Sequence, residues 1–91
     1  MLERDIERKV KDYAKKKGML VYKFVSPNNR SVPDDIIFYK GITFLIEFKA
    51  PGKHPTKLQQ TTIDRLKSEQ IAVYVIDDVE QGKQLVDSYV K

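Results

Sequence analysis

The 91-residue sequence predicts a single α/β domain in which helices flank a mixed β-sheet, with the element order αβββαβα. Three observations carry this prediction. Apolar residues recur at helical spacing near both ends of the chain, and two neighbouring strand-like runs are separated by a two-residue turn signal. A predicted helix also connects the third strand to the fourth, which makes those two strands parallel. No linker, repeat or low-complexity segment interrupts residues 1–91, so we expect one domain.

The chain begins with a predicted helix and strand. Apolar residues recur every four positions near the amino terminus, namely Leu2, Ile6, Val10 and Ala14. This spacing predicts a helix over residues 3–17, closed by Gly18. β-Branched and aromatic residues predict a strand over residues 19–25, and the Ser-Pro-Asn-Asn sequence that follows predicts a turn.

The next two strands form the predicted hairpin. Residues 35–39 and 42–49 are rich in β-branched and aromatic side chains, and Lys40-Gly41 between them is a turn signal. Pro33 has no backbone N–H, so it precludes regular pairing just before the first of these strands. We therefore expect an antiparallel pair.

The carboxy-terminal half is a predicted helix, strand and helix. Residues 56–68 have apolar side chains on one helical face, with Thr56 as the N-cap. Residues 71–76 are almost continuously apolar, as expected for a strand covered on both faces. Asp77 or Asp78 then caps a last helix, whose apolar residues are Val79, Leu85, Val86 and Tyr89.

Composition limits the classes of function. The net charge of +4 and pI of about 9.3 favour a polyanionic partner such as nucleic acid, although a lysine-rich solvated surface accounts for them equally. The absence of cysteine excludes disulfides and cysteine-ligated zinc. No apolar run approaches the roughly 18 residues that a membrane span needs, and no signal sequence is recognisable, so we expect a cytoplasmic location in a bacterial or phage-infected cell.

Three charged residues predict the chemistry. Glu47 and Lys49 are two residues apart in a strand, so their side chains share a face. In the antiparallel hairpin Asp34 lies near Glu47, and two neighbouring carboxylates normally need a cation between them. Oxygen ligands, including the backbone carbonyl of Phe48, favour Mg²⁺ or Mn²⁺ over zinc. This pattern predicts a metal-dependent phosphodiesterase.

The same charged residues also have simpler interpretations. A charged pair at a strand end is more often solvated surface, and Lys49 has an alternative role as the salt-bridge partner of Glu47. Glu3 and Glu7 lie four residues apart on the first helix, where either reaches the metal or pairs with neighbouring basic residues. Asp35 is expected to be solvated, and His54 is not expected to act as a ligand or base.

Polar and basic residues in two loops are candidate phosphate contacts. The first loop immediately precedes Asp34, and the second follows Lys49. The candidate DNA-binding residues are Asn29, Arg30, Ser31, Lys53 and Lys57.

The ordered set of motifs resembles a known family. A glutamate on the first helix, Val32-Pro33-Asp34, Glu47-Phe48-Lys49 and a glutamine in the second helix are similar to the virus-type replication-repair nuclease domain, VRR-NUC. This domain belongs to the PD-(D/E)xK superfamily, and the likeness covers nearly the whole chain. One departure is Ser31, where the family usually has glycine, so the preceding loop is expected to differ in conformation.

The resemblance implies roles for individual residues. It implies a restriction-endonuclease-like fold, Asp34 and Glu47 as metal ligands, and Lys49 as the catalytic lysine. The helix glutamate maps to Glu7, with Glu3 as the alternative, and the glutamine maps to Gln59 rather than to its neighbour Gln60.

The resemblance also implies a function. It implies a Mg²⁺-dependent DNA endonuclease that acts as a homodimer on branched DNA, by likeness to Holliday junction resolvases. The alternatives are a flap-type nuclease, a non-catalytic nucleic-acid-binding module on the same fold, and an interaction subunit of a larger complex.

Overall fold

The amino-terminal helix, α1, spans Glu3–Lys16 in a computed structural model that describes residues 1–90. It ends in a glycine-dependent cap, because Gly18 has a φ of +89°, which side chains with a Cβ rarely adopt. The N–H of Gly18 donates to the carbonyl of Lys15, and the N–H of Met19 donates to the carbonyl of Ala14. These two bonds form a Schellman motif, which ends the helix one residue before the predicted boundary.

Four strands follow one another along the chain in the predicted order. Strands β1, β2 and β3 span Leu20–Lys23, Asp35–Tyr39 and Ile42–Phe48, and β4 spans Ala72–Ile76. The sheet order is β1-β2-β3-β4, with β1–β2 and β2–β3 antiparallel and β3–β4 parallel. The predicted hairpin and the predicted parallel crossover are both confirmed.

Strand boundaries differ from the predicted ones for local reasons. β1 is shorter than residues 19–25, because Met19 bonds back to α1 and only the N–H of Phe24 continues the pairing, to the carbonyl of Asp34 at 2.9 Å. β4 begins after Ile71, because the N–H of Ile71 donates to Leu66 at the end of the preceding helix.

The hairpin turn between β2 and β3 uses two residues in the left-handed region. Lys40 has a φ of +47° and Gly41 a φ of +82°. Positive φ at both central positions is the requirement of a type I′ turn, whose twist matches that of the flanking strands. This turn fixes the register in which Asp35 lies opposite Ile46.

The remaining helices cover opposite sides of the sheet. Helix α2 spans Lys57–Ser68, with Thr56 as its N-cap, and helix α3 spans Val79–Tyr89, with Asp78 rather than Asp77 as its N-cap. One apolar core lies between the sheet and helices α1 and α3. A smaller one lies under α2, formed by Leu45, Ile63 and Val73. No helix in residues 1–90 has the length and apolarity that crossing a bilayer demands.

Alternation along β3 decides which residues meet which helix. Phe44, Ile46 and Phe48 belong to the core beneath α1 and α3, whereas Leu45 belongs to the core beneath α2. Glu47 therefore lies on the α2 side of the sheet.

The packing of α1 against α3 is close at Gly82, where a Cβ would lie within 2.9 Å of a Val10 methyl carbon, so this position needs glycine.

Candidate active site

The hairpin places two carboxylates beside each other at the end of the sheet. Asp35 pairs with Ile46, so Asp34 lies opposite Glu47 one position further along the ladder. The Asp34 carboxylate accepts a hydrogen bond from the backbone N–H of Phe48 at 2.7 Å. The Glu47 residue is only 3% exposed. The structure therefore brings together the two acids that the sequence predicts as metal ligands.

Both of these carboxyl groups have a raised pKa. Burial is the main reason that the pKa of Glu47 rises to about 7, and the negative charge of Asp34 adds to it. Burial also raises the pKa of Asp34, although the hydrogen bond from Phe48 opposes the shift. A buried carboxylate beside a half-buried one that repels it provides the electrostatic conditions in which a bound cation is most favourable.

Lys49 is held beside this pair by two contacts. Its ammonium group donates to the side-chain oxygen of Gln59 at 2.7 Å and lies 3.3 Å from a carboxylate oxygen of Glu47. Its side chain is 13% exposed. The salt bridge between Lys49 and Glu47, which was the alternative role of Lys49, is therefore present. It holds the ammonium group of Lys49 next to the two acids.

Gln59 has a second partner that the sequence analysis missed. Its side-chain oxygen also accepts the N–H of Thr56 at 2.9 Å, and the Thr56 hydroxyl accepts the N–H of Gln59 at 3.2 Å. This reciprocal pair is a capping box, which the sequence Thr-x-x-Gln signals directly. The start of α2 thus fixes the same oxygen that orients Lys49, whereas Gln60 bonds to Asp64 on the helix surface.

The two glutamates of α1 approach the site from the other side. Glu7 is paired with Lys23 at 2.9 Å and with Lys11 at 3.8 Å. Burial would raise the pKa of Glu7, but the hydrogen bond from Lys23 and the positive charges of Lys23 and Lys11 oppose it, and the pKa is lowered. The charge of Glu7 raises the pKa of Asp34, and that of Glu3 raises the pKa of Glu47.

The expectation that Asp35 is solvated is wrong. Its side chain is fully buried, and within the described chain neither carboxylate oxygen has a hydrogen-bond partner. Lys11 lies 3.4 Å away as an ion-pair partner. Burial raises the pKa of Asp35 to about 7, and the nearby negative charge of Glu7 adds to the shift. Strand alternation is the reason, because Asp34 faces the α2 side and its neighbour must face the core under α1.

The donor atoms fit a hard divalent cation. Among residues 1–90 no group of three or more acidic, histidine or cysteine side chains is arranged to hold a metal by itself. Asp34 and Glu47 offer two carboxylates, and the Phe48 carbonyl is the predicted third oxygen. Mg²⁺ is usually bound by one or two carboxylates and keeps several waters, whereas a zinc site needs nitrogen or sulfur ligands. The residues present therefore fit Mg²⁺ or Mn²⁺.

The loop before Asp34 is attached to α2 through a buried hydroxyl pair. The Ser31 hydroxyl lies 2.6 Å from that of Thr62, and both residues are buried. The Asn29 side chain bonds to the backbone N–H of Ser31 at 3.0 Å and donates to Thr62 at 3.4 Å. The Ser31 hydroxyl is therefore used within the protein, and a contact of Ser31 with DNA stays a prediction. Serine replaces the usual glycine here and uses its side chain to hold the loop.

Replacing Thr62 by valine is expected to lower the free energy of unfolding by about 1–2 kcal/mol, because the buried Ser31 hydroxyl and the Asn29 amide lose a partner. Urea denaturation measures the change. Thr61→Val is the matched control, since Thr61 is exposed and its hydroxyl bonds only to the helix carbonyl of Lys57. Equal stabilities of the two variants would show that the attachment contributes nothing.

The other predicted DNA contacts lie on the surface. Arg30, Lys53 and Lys57 are exposed, as is His54. Asn29 is half-buried, because its side chain is used within the loop. The contacts of these residues with DNA stay predictions.

Known proteins resemble this chain in sequence and in fold. No family model matches the sequence. A protein of Acyrthosiphon pisum secondary endosymbiont phage 1, described as "Putative nuclease p44", is 38% identical over 76 residues, which covers 82% of each chain. A solved structure described as "VRR_NUC domain" superposes with a TM-score of 0.87, covers 96% of both chains and is 21% identical. The structural match shows a shared fold.

Proposed function

The chain belongs to the VRR-NUC family of nuclease domains, and from this premise we propose that it is a Mg²⁺-dependent endonuclease that hydrolyses phosphodiester bonds in branched DNA. One observation carries the proposal: Asp34 and Glu47 lie side by side, with the ammonium group of Lys49 held against them. Phosphodiester hydrolysis needs a cation site and a positive charge near the phosphate, and this arrangement offers both.

The residues of the chain have separate roles in the proposed reaction. Gln59 fixes the Lys49 ammonium, which then orients the attacking water or stabilises the negative charge that develops on the phosphate. Asp34, Glu47 and the carbonyl of Phe48 would hold Mg²⁺, with Glu7 binding it directly or through water. The bound cation supplies Lewis acidity and lowers the pKa of a coordinated water. We expect Mn²⁺ to substitute for Mg²⁺.

We further propose that the protein acts on four-way junctions as a homodimer. A chain of this size has one candidate site, and two sites related by a two-fold axis would suit symmetric incision of a junction. Support for a second copy comes from exposed apolar side chains on the edge strand β1, where Leu20 and Tyr22 are about half exposed. The phage relative is consistent with action in the cytoplasm of a host cell.

Cleavage of labelled DNA tests the proposal. The substrates are a four-way junction, a flap, a duplex and a single strand, each with Mg²⁺, Mn²⁺ or EDTA. Paired symmetric nicks in the junction are expected with either metal and not with EDTA. Lys49→Ala should lower the rate about a hundred-fold or more, because charge stabilisation at the phosphate is lost. Lys67→Ala removes an exposed lysine of α2 and is the control.

The other outcomes separate the competing functions. Preferential cutting of the flap would replace junction resolution by flap cleavage. Tight binding of all four DNAs without metal-dependent cutting would show a binding module, and full activity of Lys49→Ala would remove that residue from the proposed site.

A further inference from the structure

One flank of α1 carries cations that the proposed catalytic mechanism does not use. Basic residues recur with spacings of four, three and four along this helix, at Arg4, Arg8, Lys11 and Lys15. These spacings place all four on one face. With a rise of about 1.5 Å per residue, the row extends roughly 16 Å along the helix axis.

This row forms one wall of a groove against strand β1. The groove has a volume of about 430 Å³, and Lys23 of β1 contributes a fifth basic side chain. Its acidic lining residues are Glu7 and Asp12, so basic side chains are in excess. We call it the α1 groove.

The cations of the α1 groove are not all neutralised within the protein. Lys11 and Lys23 are paired with Glu7, and Lys11 also with Asp35. The ion pair of Arg8 with Asp5 is long, at 3.6 Å, and the Arg8 side chain is 65% exposed. An exposed pair of this kind contributes little and exchanges readily for another anion. Arg8 is therefore available to an external phosphate, and Lys15 is an exposed cation further along the same row.

The α1 groove adjoins the candidate active site. Lys23 pairs in register with Asp35, the residue next to Asp34, and the neighbouring Phe24 bonds to the Asp34 carbonyl at 2.9 Å. A second basic cavity of about 340 Å³, with Lys9, Lys16 and Lys83 in its lining, lies on the α3 side of α1. Lys23 of the first cavity also lines a cavity with Asp34, whereas no lining residue of the second cavity does.

From these observations we infer that the α1 groove binds the phosphate backbone of a duplex DNA arm that extends from the cleavage site. This inference rests on the proposed nuclease function. DNA presents a negative charge every 3.4 Å along each strand, so a row of about 16 Å faces several consecutive phosphates. Contacts of this kind position the substrate and do not read its sequence.

Two double variants test the inference. Arg8→Gln/Lys15→Gln removes two cations of the α1 groove, whereas Lys9→Gln/Lys16→Gln removes two cations one residue further along, on the α3 side of the helix. The change in net charge is the same in both. Fluorescence anisotropy with a labelled junction and a labelled duplex, in EDTA, measures affinity between about 50 and 200 mM salt.

The groove variant is expected to bind more weakly than the control variant, by the same factor for DNAs of unrelated sequence. The slope of log affinity against log salt should fall by about two, one for each lost phosphate contact. Equal losses in the two double variants would overturn the inference, as would a wild-type protein without measurable duplex binding. Arg4→Gln/Lys15→Gln repeats the comparison if the first groove variant does not fold.

Failure of the proposed nuclease function has a different signature. It appears as absence of metal-dependent cutting by the wild-type protein, and the binding comparison in EDTA does not depend on cutting. If the wild-type protein cuts, the control variant Lys9→Gln/Lys16→Gln should cut at the wild-type rate, because neither lysine lies in the α1 groove or at the candidate active site.

Discussion

Replacing Glu47 by glutamine is expected to reduce the rate of DNA cleavage about a thousand-fold. The substitution keeps the size of the side chain but removes one of the two carboxylates that lie together at the hairpin end. A bound cation contributes several kcal/mol to charge stabilisation in the transition state, and a loss of roughly 4 kcal/mol corresponds to about three orders of magnitude. Single-turnover cleavage of a labelled junction with saturating protein measures this loss.

DNA affinity should distinguish this effect from unfolding. Glu47→Gln removes a negative charge from a site that approaches phosphate, so its affinity in EDTA should equal or exceed that of the wild type. Glu69→Gln makes the same chemical change at the exposed C-cap of α2, so it should cut at the wild-type rate. Substantial cleavage by Glu47→Gln would remove Glu47 from the metal site.

The metal-free protein is expected to lose stability between about pH 5 and pH 8, and Glu47→Gln should lose less. Burial and the charge of Asp34 raise the pKa of Glu47 from 4.5 to about 7, so the folded protein holds this proton more tightly than the unfolded chain. The contribution of this tighter proton binding to the free energy of unfolding is fully present below pH 4.5 and is lost as pH rises through 7. A shift of this size corresponds to roughly 3 kcal/mol.

Urea denaturation in EDTA at several pH values measures this difference. The variant should gain stability relative to the wild type as pH rises. Asp35→Asn should also gain stability relative to the wild type as pH rises, because burial raises the pKa of Asp35 to about 7 as well. A difference between Glu47→Gln and wild type that stays constant with pH would contradict the assignment.

Addition of Mg²⁺ at pH 8 should distinguish the role of Glu47 from that of Asp35. A cation that binds only the folded protein stabilises it by mass action. We therefore expect Mg²⁺ to stabilise the wild type and Asp35→Asn, and to have little effect on Glu47→Gln. An equal response of all three proteins would place the cation elsewhere.

Contacts near the candidate active site compensate for the unfavourable electrostatics of its two acids. Placing the half-buried carboxylate of Asp34 beside the buried carboxylate of Glu47 opposes folding in the absence of a cation. The same region contains stabilising devices, namely the capping box of α2 and the hydroxyl pair between Ser31 and Thr62. These hold the elements that carry the acids and Lys49, so a metal site can form without the hairpin and α2 moving apart.

The element order and the relative directions of β2, β3 and β4 could be predicted from the sequence. Each follows from a local signal: spacing of apolar residues for the helices, Lys40-Gly41 for the hairpin, and a helix between β3 and β4 for the parallel pair. The proximity of Asp34 to Glu47 followed as well, because the register of a two-residue hairpin is fixed by its turn.

The surroundings of Asp34, Glu47 and Lys49 could not be predicted in the same way. Whether Asp35 is solvated, whether Ser31 faces solvent and which partners hold Glu7 depend on how α1 and α2 pack against the sheet. Contacts between segments distant in sequence leave no periodic signal, because they depend on the relative placement of helices and strands rather than on the spacing of residues within one element. The capping box at Gln59 was readable from sequence, but its contact with Lys49 required the structure.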